Sequence, residues 1–301
     1  YQRRRLEADV RHGWMLLLGW GCSDYTVSKR DATEAGADEV VVDTAEQEEE
    51  SPGSFIPEDT GDDGIDEALP ADTGEAPPAE VPEEPVYVHT SSTLFSWEPT
   101  TGALTRVNDF NDGVGGDFGT SMTDIAIDGD GNFYGVSFNG LHGIDPVTAA
   151  VWDIATMDID LVGLAATSDG RLIGAGDGLY EINTTTGQTT ELVRPGVFET
   201  SGDVVGLPDR NLYWLVRSED DSTGDRLVVV DSASADSRVV GAVGVTALFG
   251  VSYSGGALYA FSDLGEVIEI DPTTAEVLSV SNLDYAWWGA TTNPVVWDLE
   301  D

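Results

Sequence analysis

The chain has 301 residues, 41% of them hydrophobic, with 56 acidic side chains against 13 basic ones and a formal net charge of −43. A field of that sign repels phosphate backbones, which cationic side chains must neutralise before they bind. Nucleic acid and anionic membrane surfaces are therefore excluded as partners, while metal cations and basic partners stay open. The single cysteine, Cys22, excludes an intrachain disulfide and any multi-cysteine metal site.

In chain order, Arg3, Arg4, Arg5 and Arg11 precede the short apolar run 14–20, WMLLLGW. A positive region followed by such a run is the layout of a secretory signal, and the run is too short to span a bilayer. Cys22 falls directly behind it. That placement resembles the end of a bacterial lipoprotein signal, where the cysteine becomes the lipidated first residue. Gly19 and Trp20 stand where that family has an aliphatic and a small residue. The resemblance implies a signal segment at 1–22, a lipid anchor at Cys22, and an outer-membrane or cell-surface location. The alternative is a cleaved signal with an incidental thiol and a secreted product.

Residues 23–85 read as an acidic linker. Between 31 and 85 the chain carries 20 acidic residues, no basic one and seven of its 13 prolines. Low hydrophobicity with charge of one sign does not repay the conformational entropy of folding, so a disordered, extended spacer is expected.

From Val86 the chain repeats. A turn followed by a small strand recurs as DGDGNFYG (128–135), TSDGRLIG (167–174), LPDRNLYW (207–214) and YSGGALYA (253–260). A second landmark follows each, at IDPVTA (144–149), INTTTG (182–187), VDSASA (230–235) and IDPTTA (270–275), with an earlier copy at WEPTTG (97–102). The polar markers Glu98, Asp145, Asn183, Asp231 and Asp271 lie 47, 38, 48 and 40 residues apart. Apolar residues one and three positions before each marker give the two-residue period of strands with a buried face. Four short strands per repeat at this spacing predict an all-β propeller over 86–301 with five blades; six, one degenerate, is the alternative. Inner strands are expected at 124–128, 162–167, 203–207 and 248–253. The first blade lacks one, and WWGATTN (287–293) echoes LFGVSYS (248–254), so the last segment is expected to close the ring inside the first blade.

The repeat resembles a loose group of bacterial secreted propellers whose blades read roughly DIA, a DG turn with LYG, then IDP and TTG. TDIAIDGDGNFYG with GIDPVTA, and LVGLAATSDGRLIG with YEINTTTG, carry the likeness. It implies fold and an extracytoplasmic location, and no chemistry.

The candidate sites are sparse. His89 and His142 fall on core positions of their repeats and read as packed residues rather than general bases; no GxSxG occurs. Asp128-Gly-Asp130-Gly-Asn132 copies the start of a calcium loop, but Phe133 stands where such loops need glycine, so it reads as a turn. Sorting loops by rim gathers acid on one face, with Asp124, Asp158, Asp160, Asp203, Asp220 and Asp221 among it. The long loop 108–119 offers Asp109, Asn111, Asp112 and Asp117 as ligands for Ca²⁺, the one cofactor expected. The expectation is thus a non-enzymatic, monomeric binding or scaffold module for an unknown protein, glycan or cationic ligand. The alternatives are a metal-dependent hydrolase or lactonase-like propeller, recognisable by three or four oxygens converging in the channel, and a purely structural surface protein.

Overall fold

A computed structural model of the protein describes residues 84–218 and 223–292. The signal segment, Cys22, most of the linker, and Asp220 and Asp221 lie outside them. Among the described residues no helix is long and apolar enough to cross a membrane.

The described elements are antiparallel strands arranged as five sheets. Blade 1 contains β1 (Val86–His89), β2 (Thr93–Trp97) and β3 (Leu104–Asp109); blade 2 contains β4 (Asp124–Ile127), β5 (Phe133–Ile144) and β6 (Val151–Leu161). Blade 3 runs β7 (Gly163–Ala166), β8 (Leu172–Ala175), β9 (Leu179–Ile182) and β10 (Thr189–Val193). Blade 4 runs β11 (Thr200–Gly206), β12 (Asn211–Val216), β13 (Arg226–Asp231) and β14 (Ser237–Ala242). Blade 5 runs β15 (Leu248–Ser254), β16 (Ala257–Ser262), β17 (Glu266–Ile270) and β18 (Val277–Asn282). The last strand, β19 (Gly289–Thr291), is the inner strand of blade 1, in the order β19-β1-β2-β3. It pairs Tyr87 with Thr291, Val88 with Ala290 and His89 with Gly289. The fold is a five-bladed propeller, closed as the echo at 287–293 predicts.

Blade 2 has three elements because β5 folds back on itself. Phe138 takes φ 56°, and a Cβ at Gly135 would come 2.8 Å from the Ile144 side chain, an approach no continuous extended strand permits.

The repeat's punctuation has one physical cause. The main-chain N–H of Gly102, Ala149, Gly187, Ala235 and Ala275 donates to the carbonyl of the marker four residues earlier. Each of the five has φ between 54° and 70°. Asp145, Asn183, Asp231 and Asp271 also accept two N–H groups of their own turn on one side-chain oxygen. These are Asx turns, so much of the propeller's acid is structural.

Apolar side chains on both faces of the blades fill five clusters, one at each seam between neighbours. Inner strands such as β4 and β7 are consequently buried at every position. This rigid ring sets which polar groups can reach its channel.

Candidate functional site

At the start of the inner strands the register places Asp124, Gly163, Asp203, Gly250 and Gly289 at equivalent positions around the channel. The two carboxyls bond to the main chain of their own and neighbouring blades. Asp124 accepts from Ile125 N at 2.8 Å and from Leu164 N of blade 3 at 2.6 Å. Asp203 accepts from Val204 N and from Val251 N of blade 5, both at 2.6 Å, and the Ala290 N–H of blade 1 faces it too. Two side chains thereby serve an inner N–H from all five blades. Glycine opposes them out of necessity: a Cβ at Gly289 would lie 2.1 Å from Asp124 Oδ1 and 2.3 Å from His89 Nε2.

Both aspartates are wholly buried and hydrogen-bonded to each other. Burial, then the Asp203 charge, pushes the Asp124 carboxyl well above its usual range, and burial pushes Asp203 up to about 7. Two acids in contact inside a protein do not both ionise, so the pair holds a proton between them. His89, also wholly buried, is pushed down to about 4 by burial. Its Nδ1 meets the Thr90 carbonyl at 2.8 Å, while Nε2 stands 3.7 Å from Asp124 Oδ1 with no hydrogen bond.

The expectation that Asp124 and Asp203 belong to an exposed acidic rim is corrected here. They begin or lie within β4 and β11, and their oxygens are spent on backbone donors. The two carboxyls bring four oxygens into the channel, and each of the four accepts a main-chain N–H. Among the described residues no group of three or more His, Cys, Asp or Glu side chains is placed to hold a metal ion. Toward the other end of the channel Thr291 Oγ1 accepts from Ile127 N at 3.2 Å and Thr292 Oγ1 from Tyr253 N at 3.0 Å.

In the loop 108–119, Asp109 accepts from Thr93 Oγ1 at 2.6 Å and pairs with Arg106 at 2.7 Å. Asn111 donates to the carbonyls of Asp109 and Thr148 and accepts from Gly113 N. Asp112 Oδ1 accepts from Val114 N and Gly116 N, which holds its carboxyl below the usual range. Asp117 pairs with Asn111 through an isolated bridge. Asn111 thus links the main chains of Asp109 and Asp117, while the side-chain oxygens of Asp109 and Asp112 are taken by local donors. Asp158 and Asp160 are exposed, and Asp158 accepts from the Thr189 hydroxyl at 3.3 Å. Asp128 caps its own turn at Asp130 N and Asn132 N, as the turn reading has it.

One arrangement escaped the sequence. His142 is buried as expected, yet its Nε2 lies 2.6 Å from Ser137 Oγ and its Nδ1 lies 2.9 Å from Asp153 Oδ1. Asp153 is the cross-strand partner of His142 between β5 and β6, and Ser137 returns to the ring only because β5 reverses at Phe138. A serine five residues before a histidine carries no signal without that reversal.

No protein-family model and no curated protein matches the chain. Among solved structures it is similar to TolB from Acinetobacter baumannii, at 15% identity and a TM-score of 0.43 over 69% of this chain and 54% of that one. It is similar to U3-55K at 11% identity and a TM-score of 0.41, covering 66% and 61%. A third is hydrazine synthase of Kuenenia stuttgartiensis, at 17% and 0.38, covering 57% and 53%. The chain thus spans between about half and three-fifths of these proteins' lengths, and the five-bladed propeller rests on its own strand order.

Proposed function

We propose that the protein is an extracytoplasmic display module. In this reading Cys22 carries a lipid anchor, the acidic linker spaces the propeller from the membrane, and the rim bearing loop 108–119 binds a basic partner.

The observation that carries the reading is that the channel's polar side chains are spent on its own backbone. Asp124 and Asp203 occupy its backbone donors at one end, and Thr291 and Thr292 bond across it toward the other. A ligand is then met by loops on the rigid ring, where such folds carry recognition. Asp117, Asp158 and Asp160 are exposed and are the carboxylates this reading assigns to the contact, and complementary charge accelerates and selects a cationic partner. Arginines are few in the described residues, and Arg106, Arg171 and Arg217 are already paired with carboxylates. Calcium at Asp109, Asn111, Asp112 and Asp117 is the narrower version. It requires those side chains to leave their present partners.

The test is titration of the full chain with an oligo-arginine peptide across a salt series, alongside calcium against sodium at matched ionic strength. Neutralising Asp117, Asp158 and Asp160 to asparagine is expected to weaken peptide binding strongly. Asp130→Asn, in the turn on the opposite rim, is expected to change it little. Equal losses from both reduce the effect to bulk charge and defeat the reading. A calcium effect no larger than sodium's removes calcium from it. For the anchor, lipid incorporation lost in Cys22→Ser is the expected result.

A further inference from the structure

We propose that Ser137, His142 and Asp153 form a serine-nucleophile relay that hydrolyses esters of small carboxylic acids, an activity separate from partner binding on the rim.

The geometry has the three parts such chemistry needs. The nucleophile's oxygen is within hydrogen-bond reach of a base nitrogen, at 2.6 Å, and a carboxylate at 2.9 Å fixes the other nitrogen. With Nδ1–H donated to Asp153, Nε2 presents its lone pair to the serine hydroxyl. Burial lowers the imidazole's proton affinity, and the Asp153 charge only partly offsets this, so the ring is neutral and able to accept a proton near pH 7.

Two further observations point to a reacting centre. Phe138, directly after the serine, is an exposed aromatic residue at φ 56°, a left-handed conformation that costs a bulky side chain energy and clusters at functional sites. Gly140 lets the main chain pass close beside the Ser–His hydrogen bond: a Cβ there would lie 2.6 Å from Ser137 Oγ and 2.5 Å from His142 Nε2. On another side Phe118 of the loop 108–119 sets its ring edge-on to the imidazole, with centroids 4.8 Å apart. The serine itself is 8% exposed, so the approach is narrow and suits a small acyl group.

In the reaction, Ser137 Oγ bonds to the ester carbonyl carbon while its proton passes to His142 Nε2. Collapse of the tetrahedral species breaks the carbon–oxygen bond, and the leaving alcohol takes that proton. Water then attacks the acyl-serine, His142 again accepts and returns a proton, and the carboxylic acid leaves with Ser137 restored.

The experiment treats the full chain with a fluorophosphonate probe, maps the adduct by mass spectrometry, and follows hydrolysis of p-nitrophenyl acetate. One adduct on Ser137 is expected. Ser137→Ala and His142→Gln are expected to abolish labelling and to lower hydrolysis by about 10²–10⁴-fold. Asp153→Asn lowers both by less, Gly140→Ala blocks labelling, and Phe118→Ala speeds it. Melting curves of Ser137→Ala matching the parent's separate lost chemistry from lost folding. Hydrolysis undiminished in Ser137→Ala, or Ser137 unlabelled in both the parent and Phe118→Ala, overturns the proposal.

Discussion

The seam between blades 5 and 1 is built from rings, whereas that between blades 3 and 4 is mostly aliphatic. At the first, Trp287 packs against Phe95, Phe261 and Tyr285, and Trp97 against Tyr259 and Phe261. At the second, Ile173, Leu179, Val204, Leu212 and Val228 surround a single tryptophan, Trp214. The difference follows from connectivity. The chain itself crosses from each blade to the next, and from β18 into β19 it crosses from blade 5 to blade 1. The joint without covalent continuity lies inside blade 1, where β19 meets β1 over three residue pairs. Large aromatic surfaces, each burying more area than an aliphatic chain, stand beside the shortest ladder.

Deleting residues 287–301 tests that account most severely. It removes β19 and Trp287 and leaves the edge of β1 unpaired, so aggregation and loss of a cooperative melt are expected by light scattering and calorimetry. A monomer with unchanged melting would break the comparison. Within the intact chain, Trp287→Ala is expected to cost about 3–5 kcal/mol and Ile173→Val about 0.5–1.5 kcal/mol in denaturant titrations.

The two tryptophans sharpen it further. Trp214 Nε1 donates to Thr200 Oγ1 at 3.0 Å, while Trp287 Nε1 is buried with no partner. Phenylalanine at 287 removes an unpaired donor, but at 214 it removes a made bond. Trp214→Phe should therefore cost more than Trp287→Phe, by on the order of 2 kcal/mol. The reverse order would mean that the Trp287 donor is satisfied.

Acidity probes the channel where the two ends of the ring meet. Burial raises the coupled Asp124–Asp203 pair, Asp203 to about 7 against an ordinary 3.8, so its protonated form adds stability below about pH 4 that is lost as pH rises toward 7. His89 works in the opposite sense. Its folded value near 4 lies below the ordinary 6.5, so the unfolded chain binds the extra proton and stability grows as pH rises from 4 to 6.5. The two slopes oppose each other in the parent. Asp203→Asn is expected to tilt the melting-temperature profile upward with pH, and His89→Gln to tilt it downward. Parallel profiles for both variants would refute the assignment.

The smallest effect concerns the turns. Ala235 sits at φ 63° where Gly102 and Gly187 fill the same place in other blades. Ala235→Gly should raise stability by about 0.5–1 kcal/mol, read as a small increase in melting temperature.

The fold was legible because its signals are local. The marker turns, the alternation beside them and the echo of β15 in β19 each lie within a few consecutive residues. The site was less legible because it depends on register. Asp124 and Asp203 look like any acid at the edge of a loop until Leu164, Val251 and Ala290 arrive from other blades. In loop 108–119, spacing alone does not reveal that Thr93, Arg106, Val114 and Gly116 bond to its carboxylate oxygens. His142 read as a core residue, which it is, while Ser137 and Asp153 reached it through a reversal marked only by Phe138-Asn139-Gly140.

The pairing of Tyr87 with Thr291 also orders events in time. As the chain emerges, β1 has no inner neighbour until some two hundred more residues have followed. Closing a loop of that length makes such a contact late and slow. During synthesis the blades therefore wait as an open arc with bare edges. Residues 289–291 act as the latch that ends this wait.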